Sequence, residues 1–304
     1  MGAMKIRIGF GLGVRTGLND RSFLEVVDAL EELGFDSLWL SERLGGSAPD
    51  PLVAMSMAAA RTHRMKFGMS VMVLPGRNPV VLAKELATLD RMSGGRLLPA
   101  FGLGVADPNE QQGFGVERSQ RARIFNEALE VLRLAWSDGA FSFHGEHFHY
   151  DDITIEPKPV QRPPEVWLGG IADSELRRAG KMADGWLPAF VTPADARTGW
   201  ETVNEIASQH QRTIDPEHFG VLIPYSTSPL PAHMVAGLSA RRPDLDDPSV
   251  LVPAGWAQLA DTIAGFIEVG ASKFVIVPFE EPMGTDQWRD HLGHAAAELM
   301  PLQN

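Results

Sequence analysis

Glycines and charged side chains stand at several points where an apolar run gives way to a helical pattern. The clearest example is the stretch from Trp167 to Glu175, which passes from a predicted strand into a helix that begins near Ser174. Backbone N–H groups and the helix dipole can bind phosphate at such a junction, and Arg177 or Arg178 adds positive charge one turn later. An ordinary strand-to-helix turn capped by Asp or Ser fits the same residues equally well, so both interpretations stay open.

Three further charged side chains follow predicted strands and are polar candidates for chemistry. Glu42 and Arg43 come directly after one strand, and Asp107 follows the Gly-x-Gly pair that begins at Gly102. A dinucleotide fingerprint would need a third glycine where Asp107 stands, so this pair does not predict a Rossmann site. The alternative for each charged residue is an ion pair that closes the rim of the fold.

The sequence gives little support to metal or thiol chemistry. There are no cysteines, which removes thiolate nucleophiles and zinc-thiolate sites. The densest histidine group is His144, His147 and His149, whose spacing is not that of a helical zinc motif. We interpret it as the polar part of a surface hairpin, and we predict no metal site.

The strongest strand signal in the chain is the run from Arg64 to Gly76, which begins with basic residues and is otherwise mostly apolar. Its Val and Met residues and its Pro-Gly end predict a strand buried on both faces. Gly68 and Ser70 leave unusual room for a group to approach the backbone. We predict that this strand forms the floor of a cofactor site.

Short β-rich runs alternate with longer amphipathic segments along the whole chain. Such alternation is typical of βαβ units with a parallel sheet, and eight strands each followed by a helix predict an α/β fold of the (β/α)8 TIM-barrel type. The predicted strands are Lys5 to Gly11, Ser37 to Ser41, Met65 to Val73, Leu97 to Gly102, Glu165 to Gly169, Gly185 to Leu187, His218 to Tyr225 and Lys273 to Phe279. The predicted helices are Asp20 to Leu33, Pro51 to Thr62, Pro79 to Ser93, Ser119 to Trp136, Ser174 to Met182, Pro193 to Gln211, Gly255 to Val269 and Asp286 to Leu299.

The chain is longer than the roughly 250 residues of a minimal barrel, and the surplus falls in two insertions. Residues 139–164 follow the fourth helix and predict a hairpin with a proline-rich arm, whereas residues 226–253 follow the seventh strand. Because the loop after a barrel strand lies at the catalytic mouth, the second insertion is placed to act as a lid. We predict a single domain over residues 4–304, preceded by an expression remnant at residues 1–3.

Composition narrows the possible partners. The formal net charge of −12 over 304 residues argues against nonspecific binding to nucleic acid. No run of about 18 apolar residues lacks a charge or a turn signal, and no apolar segment resembles a secretory signal. We therefore expect a cytoplasmic protein that binds neither membranes nor nucleic acid.

Several motifs, taken in order, resemble one known family. They are the second-strand end Ser37 to Glu42, the third-strand residues Gly68 to Val71, Arg91 to Arg96 running into Gly102-Leu103-Gly104, the pair Gly169-Gly170, and Ala183 to Trp186. From Lys5 onward the chain resembles the bacterial-luciferase-like superfamily, and within it the branch of coenzyme F420-dependent oxidoreductases.

That resemblance implies a TIM barrel with insertions that binds a flavin or deazaflavin in its mouth, with the ring against the third strand. It implies a nonprolyl cis peptide at Ser70-Val71 and a phosphate site formed by Gly169, Gly170 and Ile171 with the helix near Ser174. It also implies a homodimer. The residues expected to contact the cofactor are Phe10, Ser41, Ser70, Val71, Met72, Gly102, Gly104, Gly169, Gly170, Ile171 and Ser174.

The chain departs from its relatives at two positions. Arg43 stands where many of them carry a histidine, and Val105 stands where sugar-phosphate dehydrogenases of the family carry a glutamate. The acid–base pair of those dehydrogenases is therefore absent, which argues against a sugar-phosphate substrate.

The function that follows is hydride transfer between F420 and a small organic substrate. Arg43 is expected to act as an electrostatic catalyst, with Glu42 and Asp107 as nearby polar candidates. One alternative is an FMN-dependent monooxygenase that needs a flavin reductase as partner. A second alternative is a noncatalytic cofactor-binding protein.

Overall fold

A computed structural model describes residues 4–18 and 20–304, so the expected remnant at residues 1–3 lies outside the described residues. The strands are β1 (Arg7–Leu12), β2 (Ser37–Leu40), β3 (Lys66–Met69), β4 (Met72–Val73), β5 (Leu97–Leu98), β6 (Ala100–Gly102), β7 (Phe141–His144), β8 (His149–Ile153), β9 (Trp167–Leu168), β10 (Gly185–Trp186), β11 (Gly220–Tyr225) and β12 (Lys273–Pro278). The α-helices are α1 (Arg21–Leu33), α2 (Pro51–Arg61), α3 (Pro79–Ser93), α4 (Pro108–Phe114), α5 (Arg121–Trp136), α6 (Asp173–Met182), α7 (Pro193–Gln209), α8 (Ala232–Arg241), α9 (Trp256–Glu268) and α10 (Thr285–Leu299). Short 3-10 helices cover Pro216–His218, Pro248–Leu251 and Met300–Leu302.

Parallel strands close into the predicted barrel. One sheet has the order β11-β12-β1-β2-β3-β5 and a second has the order β10-β9-β6-β4. The two sheets share the predicted third strand, which is β3 plus β4, and the predicted fourth strand, which is β5 plus β6. An isolated parallel bridge between Trp186 and Phe219 joins β10 to the strand that follows it. The eightfold strand and helix pattern is therefore confirmed.

The third and fourth strands are each split, which their sequence patterns did not predict. The third strand is interrupted at Ser70-Val71, whose peptide bond is cis, as the family resemblance implies. The fourth strand is interrupted at Pro99, which has no N–H group to donate to a neighbouring strand.

Helix ends follow the expected local chemistry. The side chains of Asp50 and Asn78 accept backbone N–H groups in the first turns of α2 and α3. α1 and α3 end at Gly34 and Gly94, whose φ angles of 87° and 72° lie in the left-handed region that glycine adopts without strain. These caps fix where each helix begins and ends around the barrel.

The barrel interior is filled by large side chains beneath its mouth. Trp39 and Trp167 are fully buried there and meet edge to face, with ring centroids 6.5 Å apart. A Cβ atom on Gly68 would collide with the Trp39 ring. The room predicted at Gly68 is therefore occupied by a core tryptophan, and Gly68 does not open the backbone to a ligand.

Both surplus segments contain structure of their own. Residues 139–164 include the antiparallel pair β7 and β8, which is the predicted hairpin. Residues 226–253 include α8 and the 3-10 turn Pro248–Leu251. Within the described residues, no helix combines the length and apolar character needed to cross a membrane.

Candidate functional site

A cavity of about 590 Å³ opens at the carboxyl ends of the barrel strands. This volume lies within the range of small-molecule and cofactor sites. Many of the residues proposed from sequence line it together: Ser41, Glu42, Arg43, Ser70, Val71, Gly102, Gly104, Gly169, Gly170 and Ile171. The barrel thus brings these four strand ends to one site.

Two apolar residues proposed to contact the cofactor do not line this cavity. Phe10 is fully buried, and its ring packs edge-on against Phe35 and Trp288, between β1 and the surrounding helices. Met72 is also fully buried, whereas its neighbours Val71 and Val73 line the cavity. Successive side chains of a strand point to opposite faces. Both faces are apolar around Met72, so the sequence did not reveal which of them meets the cavity. In β1 the large residues alternate with Gly9 and Gly11, and Phe10 lies on the face opposite those glycines.

Two polar residues proposed for the site also lie outside the lining. Asp107 begins α4, where its carboxylate accepts the N–H groups of Asn109 at 2.9 Å and Glu110 at 3.2 Å. This is a helix-capping contact, so Asp107 is not placed for a catalytic role. Ser174 lies in the first turn of α6, is exposed, and does not line the cavity.

The second and third strands meet through two serines at the cavity floor. The Ser41 hydroxyl donates to the Ser70 carbonyl oxygen at 3.2 Å, and the two Oγ atoms lie 3.4 Å apart. Val71 and Val73, which follow the break between β3 and β4, both line the cavity. A Cβ atom on Gly102 would collide with Val71, so glycine permits the fourth strand to lie against Val71.

Glu42 is fully engaged in holding the third strand. One carboxylate oxygen accepts the Val73 N–H at 2.7 Å, and the other accepts a hydrogen bond from the Arg77 guanidinium. Burial raises the pKa of Glu42 above its usual value, while Arg77 and the Val73 N–H group oppose that rise. Because both oxygens are occupied, Glu42 acts on the site by positioning Val73.

Arg43 is also paired. Its Nε lies 3.3 Å from Glu110, a buried carboxylate at the start of α4. Glu110 additionally accepts the N–H groups of Leu44 and Gly45 at 3.2 Å and 3.1 Å. The Arg43 side chain keeps about a third of its surface exposed and lines the cavity. We call Glu42, Arg43 and Glu110 the paired-charge wall.

Another part of the cavity lining comes from α5 and α6 and has a different charge arrangement. The Glu175 carboxylate accepts the N–H groups of Ile171 and Ala172, both at 3.1 Å. A Cβ atom on Gly170, whose φ is 90°, would collide with this carboxylate. The Ile171 N–H group, one of the donors that the family resemblance implies for phosphate, is therefore occupied by the chain's own Glu175.

Two arginines stand beside that loop without a carboxylate partner. Arg121 donates to the Gly104 carbonyl oxygen at 3.0 Å, and Arg178 donates to the Asn126 side-chain oxygen at 2.9 Å. Among the residues that the structure describes, no carboxylate oxygen lies within 4 Å of either guanidinium. Burial lowers the pKa of Arg178; Glu175 opposes this shift and Arg121 adds to it. We call Arg121, Glu175 and Arg178 the arginine wall.

The second insertion reaches the mouth of the cavity. Arg241, at the end of α8, lies 4.2 Å from the centre of the Phe190 ring. Arg242 donates to the Phe190 carbonyl oxygen at 3.1 Å and to Asp195 at 2.9 Å. Phe190 has a φ of 57°, which is uncommon for a bulky residue, and these contacts hold it in that conformation. The segment proposed as a lid therefore borders the cavity.

Sequence reasoning missed Glu110, Arg121, Glu175, Phe190 and the pair Arg241–Arg242. Glu110 and Glu175 each lie at the start of a helix, three residues after the N-cap, where an acidic residue commonly turns back to the backbone. That spacing was readable in the sequence. Nothing local marks Arg121, because the packing of α5 against the fourth strand brings it to the cavity.

Fold and cavity together define a TIM-barrel protein whose mouth has the size and mixed lining of a cofactor site. The model of the luciferase-like monooxygenase family matches residues 5–262, and the chain belongs to that family.

Individual relatives carry different activities in their names. The chain is 30% identical over 204 residues to an F420-dependent glucose-6-phosphate dehydrogenase of Kineococcus radiotolerans, a match that covers 61% of this chain and 60% of that protein. A monooxygenase structure from Streptomyces bottropensis has a TM-score of 0.80 at 19% identity and covers 98% of this chain and 99% of its own. An F420-dependent tetrahydromethanopterin reductase structure from Methanopyrus kandleri has a TM-score of 0.76 at 16% identity, and the match covers 99% of this chain and 100% of that chain. At these identities the two structures establish the shared fold alone.

Proposed function

We propose that this protein is an F420-dependent oxidoreductase that transfers a hydride between the deazaflavin and a small organic substrate. The observation that carries the proposal is the cavity, which combines an apolar floor with a lining of five arginines and three glutamates in a chain of net charge −12. A flat, apolar ring joined to an anionic chain fits such a lining. The name of the Kineococcus relative favours F420 as the cofactor.

The residues present fit that cofactor. Val71, Val73, Leu168 and Leu187 supply apolar contact for a ring at the floor of the cavity. A bound deazaflavin supplies the carbon that donates or accepts the hydride. The protein orients ring and substrate, keeps water away from them, and places charge where it develops during transfer.

Arg43 is the side chain we propose for that electrostatic role. Its guanidinium faces the cavity, and Glu110 holds it at one end, which fixes its direction. Val105 lines the same cavity and is apolar, so it offers no proton where the sugar-phosphate dehydrogenases carry a glutamate. We propose a substrate that needs no glutamate acid there, such as a nitro compound, an enone or an imine.

A second candidate is an FMN-dependent monooxygenase that takes reduced flavin from a reductase. The family name favours it, since the matching family model describes monooxygenases. A third is a noncatalytic cofactor-binding protein. All three would use the same cavity, so binding and turnover must be measured separately.

Two properties of the whole protein complete the proposal. We propose a homodimer, because α2 exposes Val53 and Met57 and the neighbouring α3 exposes Val81, an apolar surface suited to a second copy. Light scattering coupled to gel filtration tests this state. We also propose a cytoplasmic location, which is where a reduced deazaflavin or flavin would be supplied.

The function is tested in two steps. Purified protein is titrated with F420 and, separately, with FMN, and reduced F420 is then supplied without oxygen together with a panel of nitro compounds, enones and imines. We expect F420 to bind and to be oxidised in the presence of at least one acceptor. Tight FMN binding with no response to F420 would favour the monooxygenase. F420 binding without turnover of any acceptor would favour the noncatalytic protein.

A further inference from the structure

Part of the phosphate position implied by the family resemblance is occupied by a side chain of this protein. Glu175 accepts the N–H groups of Ile171 and Ala172 at the start of α6, and its carboxylate lies against Gly170. A carboxylate that already holds these donors repels a phosphate and leaves it fewer N–H groups to bind. An anion that enters the cavity must therefore find other donors.

The nearest unused positive charges are on the same wall. Arg121 and Arg178 both line the cavity, and their bonds to Gly104 and Asn126 go to neutral oxygen atoms. Each guanidinium carries five N–H donors, so each retains donors for a ligand. The Arg178 guanidinium also lies 5.4 Å from the Phe125 ring, which together with Asn126 fixes its direction.

Two neighbouring guanidiniums repel one another unless an anion lies between them. Two other arginines of the lining already have carboxylate partners. Arg43 is paired with Glu110, and Arg242 is paired with Asp195 and Asp244. Arg241 is exposed and stacks on Phe190 at the outer rim. Arg121 and Arg178 are thus the inward cations that a bound anion would neutralise.

We propose that Arg121 and Arg178 form the anion subsite of the cavity and bind the phosphate group of the cofactor, while Glu175 keeps the N–H groups of Ile171 and Ala172 from serving as that subsite. The proposal rests on the proposed function only in taking the anion to be the cofactor's phosphate. It changes the family expectation for Ile171 from phosphate binding to support of the loop.

The test compares ligands that differ in their phosphate. F420 is paired with its deazaflavin chromophore lacking the phosphate-bearing chain, and FMN is paired with riboflavin. Each is titrated by fluorescence against the intact protein and against Arg121→Gln and Arg178→Gln. We expect each variant to lose about tenfold or more of the affinity for the phosphate-bearing ligand, with little change for its partner. Arg177→Gln is the matched control, because Arg177 is exposed, is adjacent in α6, and carries the same charge.

Variants of Glu175 separate the two possible subsites. Glu175→Gln removes the charge and keeps an acceptor for the loop, whereas Glu175→Ala also frees the N–H groups. If the arginines bind the phosphate, the two variants raise its affinity by similar factors. A gain for Glu175→Ala that exceeds the gain for Glu175→Gln about tenfold, with Arg178→Gln unchanged from the parent protein, would place the phosphate on the backbone donors and overturn the proposal.

Inorganic phosphate gives a readout that does not depend on the cofactor. Calorimetric titration should show phosphate binding that competes with the phosphate-bearing ligand and is lost in Arg178→Gln. If neither chromophore binds but phosphate does so through the two arginines, the proposed function fails and the subsite stands. If neither Arg121→Gln nor Arg178→Gln changes phosphate binding or the preference for phosphate-bearing ligands, the subsite is wrong. Thermal unfolding of each variant confirms that it is folded.

Discussion

The paired-charge wall and the arginine wall line the same cavity, but their arginines differ in whether they have a carboxylate partner. On the first, Glu42 is bound by Arg77 and Val73, and Arg43 is bound by Glu110. On the second, the carboxylate of Glu175 is bound to backbone N–H groups, and within the described chain Arg121 and Arg178 have no carboxylate partner.

The difference separates charges that shape the protein from charges that can bind a ligand. A charge whose donors or acceptors are already satisfied loses little and gains little when a ligand arrives. A guanidinium bonded only to neutral oxygens gains a charge-assisted hydrogen bond when an anion binds. Residues of the first wall should therefore affect stability and geometry, and residues of the second should affect affinity.

Removing Glu42 is the change that we expect to have the largest effect. Glu42→Ala leaves the Val73 N–H without its acceptor and Arg77 without its main partner, in a place where the Glu42 side chain is only 5% exposed. We expect the free energy of unfolding to fall by about 3 kcal/mol, the lower end for breaking a buried ion pair because Arg77 is partly exposed. Urea unfolding monitored by circular dichroism measures it.

Two further variants serve as controls for Glu42→Ala. Glu130→Ala changes an exposed glutamate on α5 and should shift stability by less than about 0.5 kcal/mol. Glu42→Gln keeps an acceptor for Val73, so its free energy of unfolding should lie between those of Glu42→Ala and Glu130→Ala. If Glu42→Ala is no less stable than Glu130→Ala, Glu42 does not hold the third strand.

Arg43 tests whether a paired cation can still take part in catalysis. Arg43→Ala removes the most exposed charge of the paired-charge wall, which lines the cavity. We expect kcat, measured with an acceptor found in the turnover screen, to fall roughly ten- to a hundredfold, with cofactor affinity nearly unchanged. Arg91→Ala on α3, an exposed arginine remote from the cavity, is the control. Equal turnover of Arg43→Ala and the parent protein would remove Arg43 from the mechanism.

The barrel could be predicted from the sequence because its signal is repeated eight times. Alternation of apolar runs with amphipathic segments, together with stops such as Gly34 and Gly94, determines which segments are strands and which are helices. Residues at strand ends, such as Ser41 and Val71, could then be assigned to the mouth, since every parallel strand of a barrel ends there.

The details of the site could not be predicted because they depend on which face a side chain takes and on contacts between distant segments. Met72 lies on a strand that is apolar on both faces, so composition did not distinguish the cavity side from the helix side. Phe10 alternates with Gly9 and Gly11, and only the fold shows that the glycine face points into the barrel. Arg121 becomes part of the site only through the packing of α5. Glu175 is readable as a helix-start acid, but whether a carboxylate or a ligand occupies the loop is a competition that a sequence pattern does not decide.

The smallest expected effect comes from removing the carboxylate partner of Arg43, which would make the paired-charge wall resemble the arginine wall. Glu110→Gln removes the charge that neutralises Arg43 and leaves an amide oxygen for one of the N–H groups of Leu44 and Gly45, which bond to different carboxylate oxygens. If pairing is what keeps Arg43 from binding anions, the affinity for inorganic phosphate should rise about threefold, in line with the weak coupling of a partly exposed pair. Calorimetry at low ionic strength measures the change, because salt would screen it. The double variant Glu110→Gln, Arg43→Gln should lose the gain; if it keeps the gain, or if Glu110→Gln shows none, pairing does not explain the difference between the two walls.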